Sequence, residues 1–235
     1  MPTPSVESPP RPSAERAVVS GWAGALALAS ALLLAMVAFR WHPLLSLDGT
    51  VADTTHRWAV GDPGLTHVFR ILTDWVWDPW TMRFVTFAAA IWLVWRRADR
   101  WTAVWLVVTC AVATLVQQTL KAAVDRSRPT WPDPVDSAHF AAYPSGHAMT
   151  ATVVCGLLLW LLHRHGTTGP VWRTAVAVAA VSVIGVGLTR VWLGVHWASD
   201  VVGGWLLGAL VVALAVGVDL RRSRDRAERP GEALS

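Results

Sequence analysis

Thr189-Arg190-Val191-Trp192-Leu193-Gly194-Val195-His196-Trp197-Ala198-Ser199-Asp200 joins two apolar runs, Val171 to Leu188 (reaching Trp192 at most) and one from near His196 or Trp197 to about Leu220. At 1.5 Å per residue, each run is about long enough to cross a ~30 Å hydrocarbon layer. The quoted stretch therefore reads as the turn of a membrane hairpin. Its arginine, histidine and aspartate would sit at a helix end rather than at mid-membrane, where ionisable groups are costly.

Four further runs extend this pattern upstream. They are Val18 to Phe39, Asp78-Pro79 to Trp95, Trp101 to Leu120, and Ser145 to Leu162. The first is too long for a signal-peptide core and reads as a retained span. In the second, Asp78 can cap a helix whose first turn holds Pro79, and Arg83 can snorkel to the interface. The segment 40–77 is not a span. Leu47, Val51 and Trp58, then Leu65, Val68, Phe69 and Leu72, recur at helical spacing among polar residues, giving two short amphipathic interfacial helices. These either shape an opening for a lipid or act as a packed outer lid. The expected fold is all-α: a six-span bundle over 18–220, a disordered cytoplasmic tail over 1–17 and a basic cytoplasmic tail over 221–235.

Composition agrees with this reading. Of 235 residues, 54% are hydrophobic and only 15% charged, where a soluble domain carries nearer a quarter charged. Several of the 16 tryptophans flank the runs (Trp22, Trp41, Trp95, Trp101, Trp172, Trp197), as suits the headgroup layer. The net charge of +4 does not indicate nucleic acid, because the basic residues gather in connectors and in the tail. With the N-terminus inside, 12 of the 20 Lys and Arg fall on the inner side, so both termini are expected in the cytoplasm. Cys110 and Cys155 lie within apolar runs and read as unpaired thiols. Gly204 and Gly208 form a small-xxx-small pair, for packing inside the chain or for dimerisation.

With six spans, three reactive blocks face the outer side together. His196 and Asp200, four apart on a helix, would share a face, the carboxylate holding the imidazole Nδ1–H and leaving Nε2 as a nucleophile. Taken alone, such a pair is commonly structural. Arg190 offers a planar fork for phosphate oxygens. Pro144-Ser145-Gly146-His147 precedes an apolar helix: Ser145 can cap it, Gly146 permits close approach of an anion, and His147 can donate a proton to a leaving oxygen. Lys121 and Arg128-Pro129 add two cations. Asp125 and Arg126 read as a local ion pair, and Asp133, Asp136 and His139 as loop residues.

These blocks, KAAVDRSRP (121–129), PSGH (144–147) and TRVWLGVHWASD (189–200), resemble the signature of the type 2 phosphatidic acid phosphatase superfamily, which includes vanadium haloperoxidases and bacterial acid phosphatases. Thr189 stands where that family commonly has Ser, so a hydroxyl survives. The resemblance covers about a third of the chain. It implies that Lys121, Arg128 and Arg190, with Ser145 and the Gly146 backbone, hold a phosphate. It also implies that His196 attacks phosphorus, Asp200 orients it, and His147 protonates the leaving group and then activates water. Neither a metal nor another cofactor is expected, since three fixed cations supply the charge. The implied activity is hydrolysis of a lipid phosphate or diphosphate, such as a polyprenyl diphosphate, phosphatidic acid or phosphatidylglycerol phosphate, at the outer face of the cytoplasmic membrane. A phosphotransferase and a non-catalytic lipid-binding or transport protein are the alternatives. The oligomeric state is not legible.

Overall fold

A computed structural model describes residues 12–228. Its elements are α1 (Pro12–Ala38), α2 (His42–Gly61), α3 (Pro63–Ile71), α4 (Pro79–Arg97), α5 (Arg100–Val124), α6 (Gly146–Arg164), α7 (Gly169–Trp192) and α8 (Ala198–Glu228). One π-helical turn, Leu72–Val76, continues α3. Among the described residues five helices are long and apolar enough to cross a membrane: Glu15–Ala38, Arg100–Val124, Gly146–Arg164, Gly169–Trp192 and Ala198–Asp225. The sixth expected span, α4, is not among them, because Arg83, Arg96, Arg97 and three tryptophans interrupt its 19 residues.

Helix starts follow local chemistry. Asp78 caps α4 by accepting from the Trp80 and Thr81 N–H groups at 2.7 and 3.1 Å, as expected. Asp99 does the same for α5 through Thr102 N–H at 3.0 Å. α1 begins at Pro12, so residues 12–17 are helical rather than the expected disordered tail; proline lacks only an N–H that a first turn cannot use. Residues 1–11 and 229–235, the remainder of the two expected tails, lie outside the described residues. Within the basic stretch, 221–228 continues α8. Near its start Asp219 accepts from Arg164 at 2.9 Å and from Trp160 Nε1 at 3.1 Å.

The bundle is built for an apolar solvent. Leu28, Phe84, Leu115, Val178 and Leu188 are exposed on its outer face, while Asp48, Gln117, Lys121, Arg190, His196, Asp200 and Asp219 are buried. α2 and α3 share this polarity: Asp48, His56 and Thr66 face inward, and Leu47, Trp58 and Val68 face out. α6 packs against α4, α5, α7 and α8. The Gly204–Gly208 pair serves this packing inside the chain, since a Cβ at Gly208 would lie 2.8 Å from Thr152 Cβ on α6. Cys110 and Cys155 are free thiols.

Consecutive long helices run antiparallel. The C-terminal ends of α5 and α7 and the N-terminal ends of α4, α6 and α8 therefore meet at one end of the bundle, beside α2 and α3.

Candidate active site

At that end a cavity of about 530 Å³ is lined by Lys121, Arg128, Gly146, His147, Arg190 and His196, six of the eight residues expected from sequence. The other two lie directly behind its wall. Asp200 is fully buried behind His196, and the Ser145 N–H donates to the Asp200 carbonyl at 2.9 Å, tying α6 to the start of α8.

His196 is not on a helix. It sits in the turn before α8, and Asp200 reaches back to it from the first turn of that helix. Asp200 Oδ2 accepts from the Trp197 backbone N–H at 2.9 Å, in the manner of a capping-box carboxylate, and lies 3.4 Å from His196 Nδ1. Arg128 Nη1 lies 3.2 Å from His196 Nε2. A donor at Nε2 and a carboxylate at Nδ1 select the Nδ1–H tautomer and keep the Nε2 lone pair on the cavity side. Burial first, then Arg128, Arg190 and Lys121, hold the His196 pKa well below the ordinary imidazole value. The ring is therefore neutral at neutral pH.

Two of the cations, Arg128 and Lys121, are held by carbonyls. Arg128 donates to Phe140 O at 2.8 Å, to His139 O at 3.1 Å and to Val195 O; burial, then Arg190, lower its pKa to about 10. Lys121, on the last turn of α5, donates to Ala141 O. Asp125 ends that helix in the left-handed conformation (φ 42°), so Lys121 and Arg128 are joined by one turn and a loop rather than by two helical turns. Arg190 Nη1 lies 3.8 Å from Asp136, and its buried Nε has no protein partner. His147 occupies the first turn of α6, where the N–H groups have no intrahelical acceptor and favour an anion.

Several expectations are corrected. Ser145 stands at the N-cap of α6, but its buried Oγ makes no capping bond and has no partner in the protein. A Cβ at Gly146 would meet Gln117 Nε2 at 2.6 Å, so here the glycine admits a neighbouring side chain as well as an open backbone. Arg126 is not paired with Asp125. It reaches Asp200 Oδ1 at 2.6 Å and Asp48 Oδ2 at 2.7 Å, because Asp125 turns outward in its left-handed conformation. Arg83 does not snorkel outward; it lines the cavity, 3.5 Å from Thr150 Oγ1. Asp136 and His139 are cavity residues rather than plain loop. Asp133 pairs with His56 at 3.0 Å, and that hydrogen bond lowers its pKa. The Thr189 hydroxyl bonds back to Val186 O at 2.8 Å.

Asp74 also lines the cavity, and burial, then Asp136, raises its pKa. Below Trp80 and Arg83 the cavity adjoins an apolar groove of about 350 Å³ between α4 and α5, walled by Phe84, Phe87, Val107 and Cys110. Phe87 and Val107 are shared with a second groove of about 330 Å³ that extends past Ile91 to Trp95. From Trp80 to Trp95 this track is ~22 Å long at 1.5 Å per helical residue.

Comparison with known proteins agrees with this geometry. The chain is 32% identical over 127 residues to phosphatidylglycerophosphatase B of Bacillus subtilis, covering 54% of this chain and 62% of that protein. It is 30% identical over 155 residues to undecaprenyl-diphosphatase of Sulfolobus acidocaldarius, covering 62% and 65%. These matches thus span somewhat less than two thirds of each relative's length. The fold matches the crystal structure of a transmembrane PAP2 type phosphatidylglycerolphosphate phosphatase from Bacillus subtilis with a TM-score of 0.65 at 24% identity, over 85% of this chain and 96% of that one. The PAP2 superfamily profile matches residues 102–224, more than half of the chain and all three reactive blocks, and the protein belongs to the PAP2 superfamily.

Proposed function

We propose that the protein hydrolyses a lipid phosphate or diphosphate through a phosphohistidine intermediate. The observation that carries this reading is the junction at Trp80 and Arg83: a cavity lined by Lys121, Arg128, Arg190, His147 and His196 adjoins an apolar track between α4 and α5. A phosphate would sit among Lys121, Arg128 and Arg190, with the Ser145 hydroxyl and the Gly146 N–H as further donors. Its apolar chain would lie along the track. The relatives named above, one acting on a glycerophospholipid phosphate and one on a polyprenyl diphosphate, make those two classes, with phosphatidic acid, the substrates to test.

In the first step the His196 Nε2 lone pair attacks phosphorus, the bond from phosphorus to the leaving oxygen breaks, and His147 gives that oxygen a proton. Asp200 holds the Nδ1–H while positive charge develops on the ring. In the second step His147 takes a proton from water, whose oxygen attacks phosphorus; the P–N bond breaks and His196 is regenerated. Fixed cations neutralise the charge that grows on the equatorial oxygens.

In the membrane, α4 completes a six-span bundle, with both termini in the cytoplasm and the site at the outer face of the cytoplasmic membrane. The excess of Lys and Arg on the opposite side supports this orientation. The test is phosphate release in detergent from undecaprenyl diphosphate, phosphatidic acid and phosphatidylglycerol phosphate, with and without EDTA. Release that vanishes in His196→Ala, with an acid-labile phosphoprotein trapped in the wild type, is the expected result. Release that persists in the variant sinks the scheme.

A further inference from the structure

The carboxylate behind His196 is itself held from behind. Arg126, in the loop after α5, donates from Nη1 to Asp200 Oδ1 at 2.6 Å and to Ser199 Oγ at 2.7 Å, and from Nη2 to Asp48 Oδ2 at 2.7 Å. Asp48, from α2, also accepts the Ser199 N–H at 2.9 Å and the Ser199 hydroxyl. Asp48 is 1% exposed and Asp200 not at all, and the Arg126 side chain is 11% exposed. A buried carboxylate–guanidinium–carboxylate row is costly to assemble and gains little over apolar packing, so stability alone is a poor account of it.

The row divides the Asp200 carboxylate. Oδ1 belongs to Arg126, while Oδ2 belongs to the Trp197 N–H and to His196 Nδ1. Charges then alternate from α2 to the nucleophile: Asp48, Arg126, Asp200, and the Nδ1–H of His196. Without Arg126, Oδ1 is buried and unpaired and the carboxylate is free to turn away from the ring. Without the Asp48 charge, the guanidinium acts on Asp200 alone and weakens its hold on the Nδ1–H. Arg126 and Asp48 do not line the substrate cavity. They line a separate one of about 570 Å³ on the far side of Asp200, beside Trp197.

We propose that Asp48 and Arg126 are positioning residues of this site: α2 fixes Arg126, Arg126 fixes Asp200, and Asp200 fixes His196 for attack. The inference rests on the phosphatase reading above and gives α2 a part in catalysis beyond shaping or covering an opening. Because neither residue meets the substrate, the two act on kcat and leave KM alone, whereas Arg128, which faces the phosphate, acts on KM as well.

The experiment measures kcat and KM of the full chain in detergent micelles, on whichever of the three lipids the wild type turns over fastest. Arg126→Ala is expected to lower kcat about 100-fold with KM within about twofold, the cost of a misplaced reacting group. Arg126→Lys recovers little, since an ammonium cannot span two carboxylates as a fork does. Guanidinium ion, which can reach the gap through the 570 Å³ cavity, restores part of the Arg126→Ala activity and none of it when Asp48→Asn is also present. Asp48→Asn alone costs about tenfold in kcat, and adds less than about twofold to Arg126→Ala because the row is already broken. If Arg126→Ala is not monodisperse, the isosteric Asp48→Asn decides. A wild-type kcat in that variant, a loss confined to KM, or independent multiplication of the two effects overturns the proposal. An inactive wild type overturns the phosphatase reading, and this proposal with it; an active wild type with unaffected variants overturns this proposal alone.

Discussion

Replacing Gly204 by alanine tests whether the site depends on the distance between α6 and α8. A Cβ at Gly204 would lie 2.7 Å from the Ser145 carbonyl oxygen, 3.0 Å from Ala148 Cβ and 3.1 Å from the Met149 nitrogen. Two of these are backbone atoms and cannot rotate away, so one helix must shift by about 0.7 Å to reach ordinary contact near 3.4 Å. The shift opens the seam where Ser145 N–H meets Asp200 O at 2.9 Å, and it carries His196 away from Gly146 and His147 on α6. A 1 Å misplacement costs about 100-fold in rate, so a loss on the order of 10- to 100-fold in kcat is expected. Overpacking costs about 1–3 kcal/mol, against which alanine's higher helix propensity offsets at most about 1 kcal/mol, so the clash wins. Gly217, on the same helix, is the control: its Cβ would meet only Val19 Cγ1, at 3.9 Å. The assay pairs lipid-phosphate turnover with the thermal midpoint in detergent for both variants. Gly217→Ala should keep wild-type kcat and an equal or higher midpoint. Wild-type kcat in Gly204→Ala, or equal losses in both, would refute the reasoning.

The pH–rate profile should be bell-shaped, with His196 neutral and His147 protonated in the active form; a single sigmoid rules out the two-histidine scheme. Because burial and the neighbouring cations depress the His196 pKa, the acid limb of kcat/KM should lie below the ordinary value of 6.5. Arg128→Gln removes the largest of those cationic influences and should move that limb to higher pH; an unmoved limb contradicts the assignment. Asp136 stands 3.8 Å from Arg190 and competes with a phosphate for it, so Asp136→Asn should lower the vanadate inhibition constant about two- to tenfold, and a weakened inhibition would count against that view. Asp219→Leu leaves Trp160 Nε1 without its acceptor and Arg164 with Thr102 Oγ1 at 3.1 Å, far from the cavity, and should cost about 1–3 kcal/mol of stability with kcat unchanged, read from chemical denaturation and turnover together.

Residues whose roles depend on near neighbours in the chain were legible beforehand. The Asp78-Pro79 start of α4 follows from capping chemistry, and the apolar lengths of α1 and α5–α8 follow from the thickness of a hydrocarbon layer. The spacing within 121–129, 144–147 and 189–200 brings Lys121, Arg128, His147, Arg190 and His196 to one end of the bundle once successive spans alternate in direction. Other roles depended on partners far away in sequence. Arg126 passes over the adjacent Asp125 for Asp48, 78 positions earlier, and for Asp200, 74 positions later. Arg83 turns toward the cavity and Thr150 on α6, Asp136 meets Arg190, and the track at Phe87 and Val107 exists only where α4 faces α5. Local spacing and hydropathy settle which residues are helical and which end of a span they occupy, because those follow from covalent geometry and transfer free energy. Which oppositely charged group a buried arginine finds, and which apolar faces form a groove, are settled by packing, because in a desolvated interior an ion must be paired by whatever the neighbouring helices bring within reach.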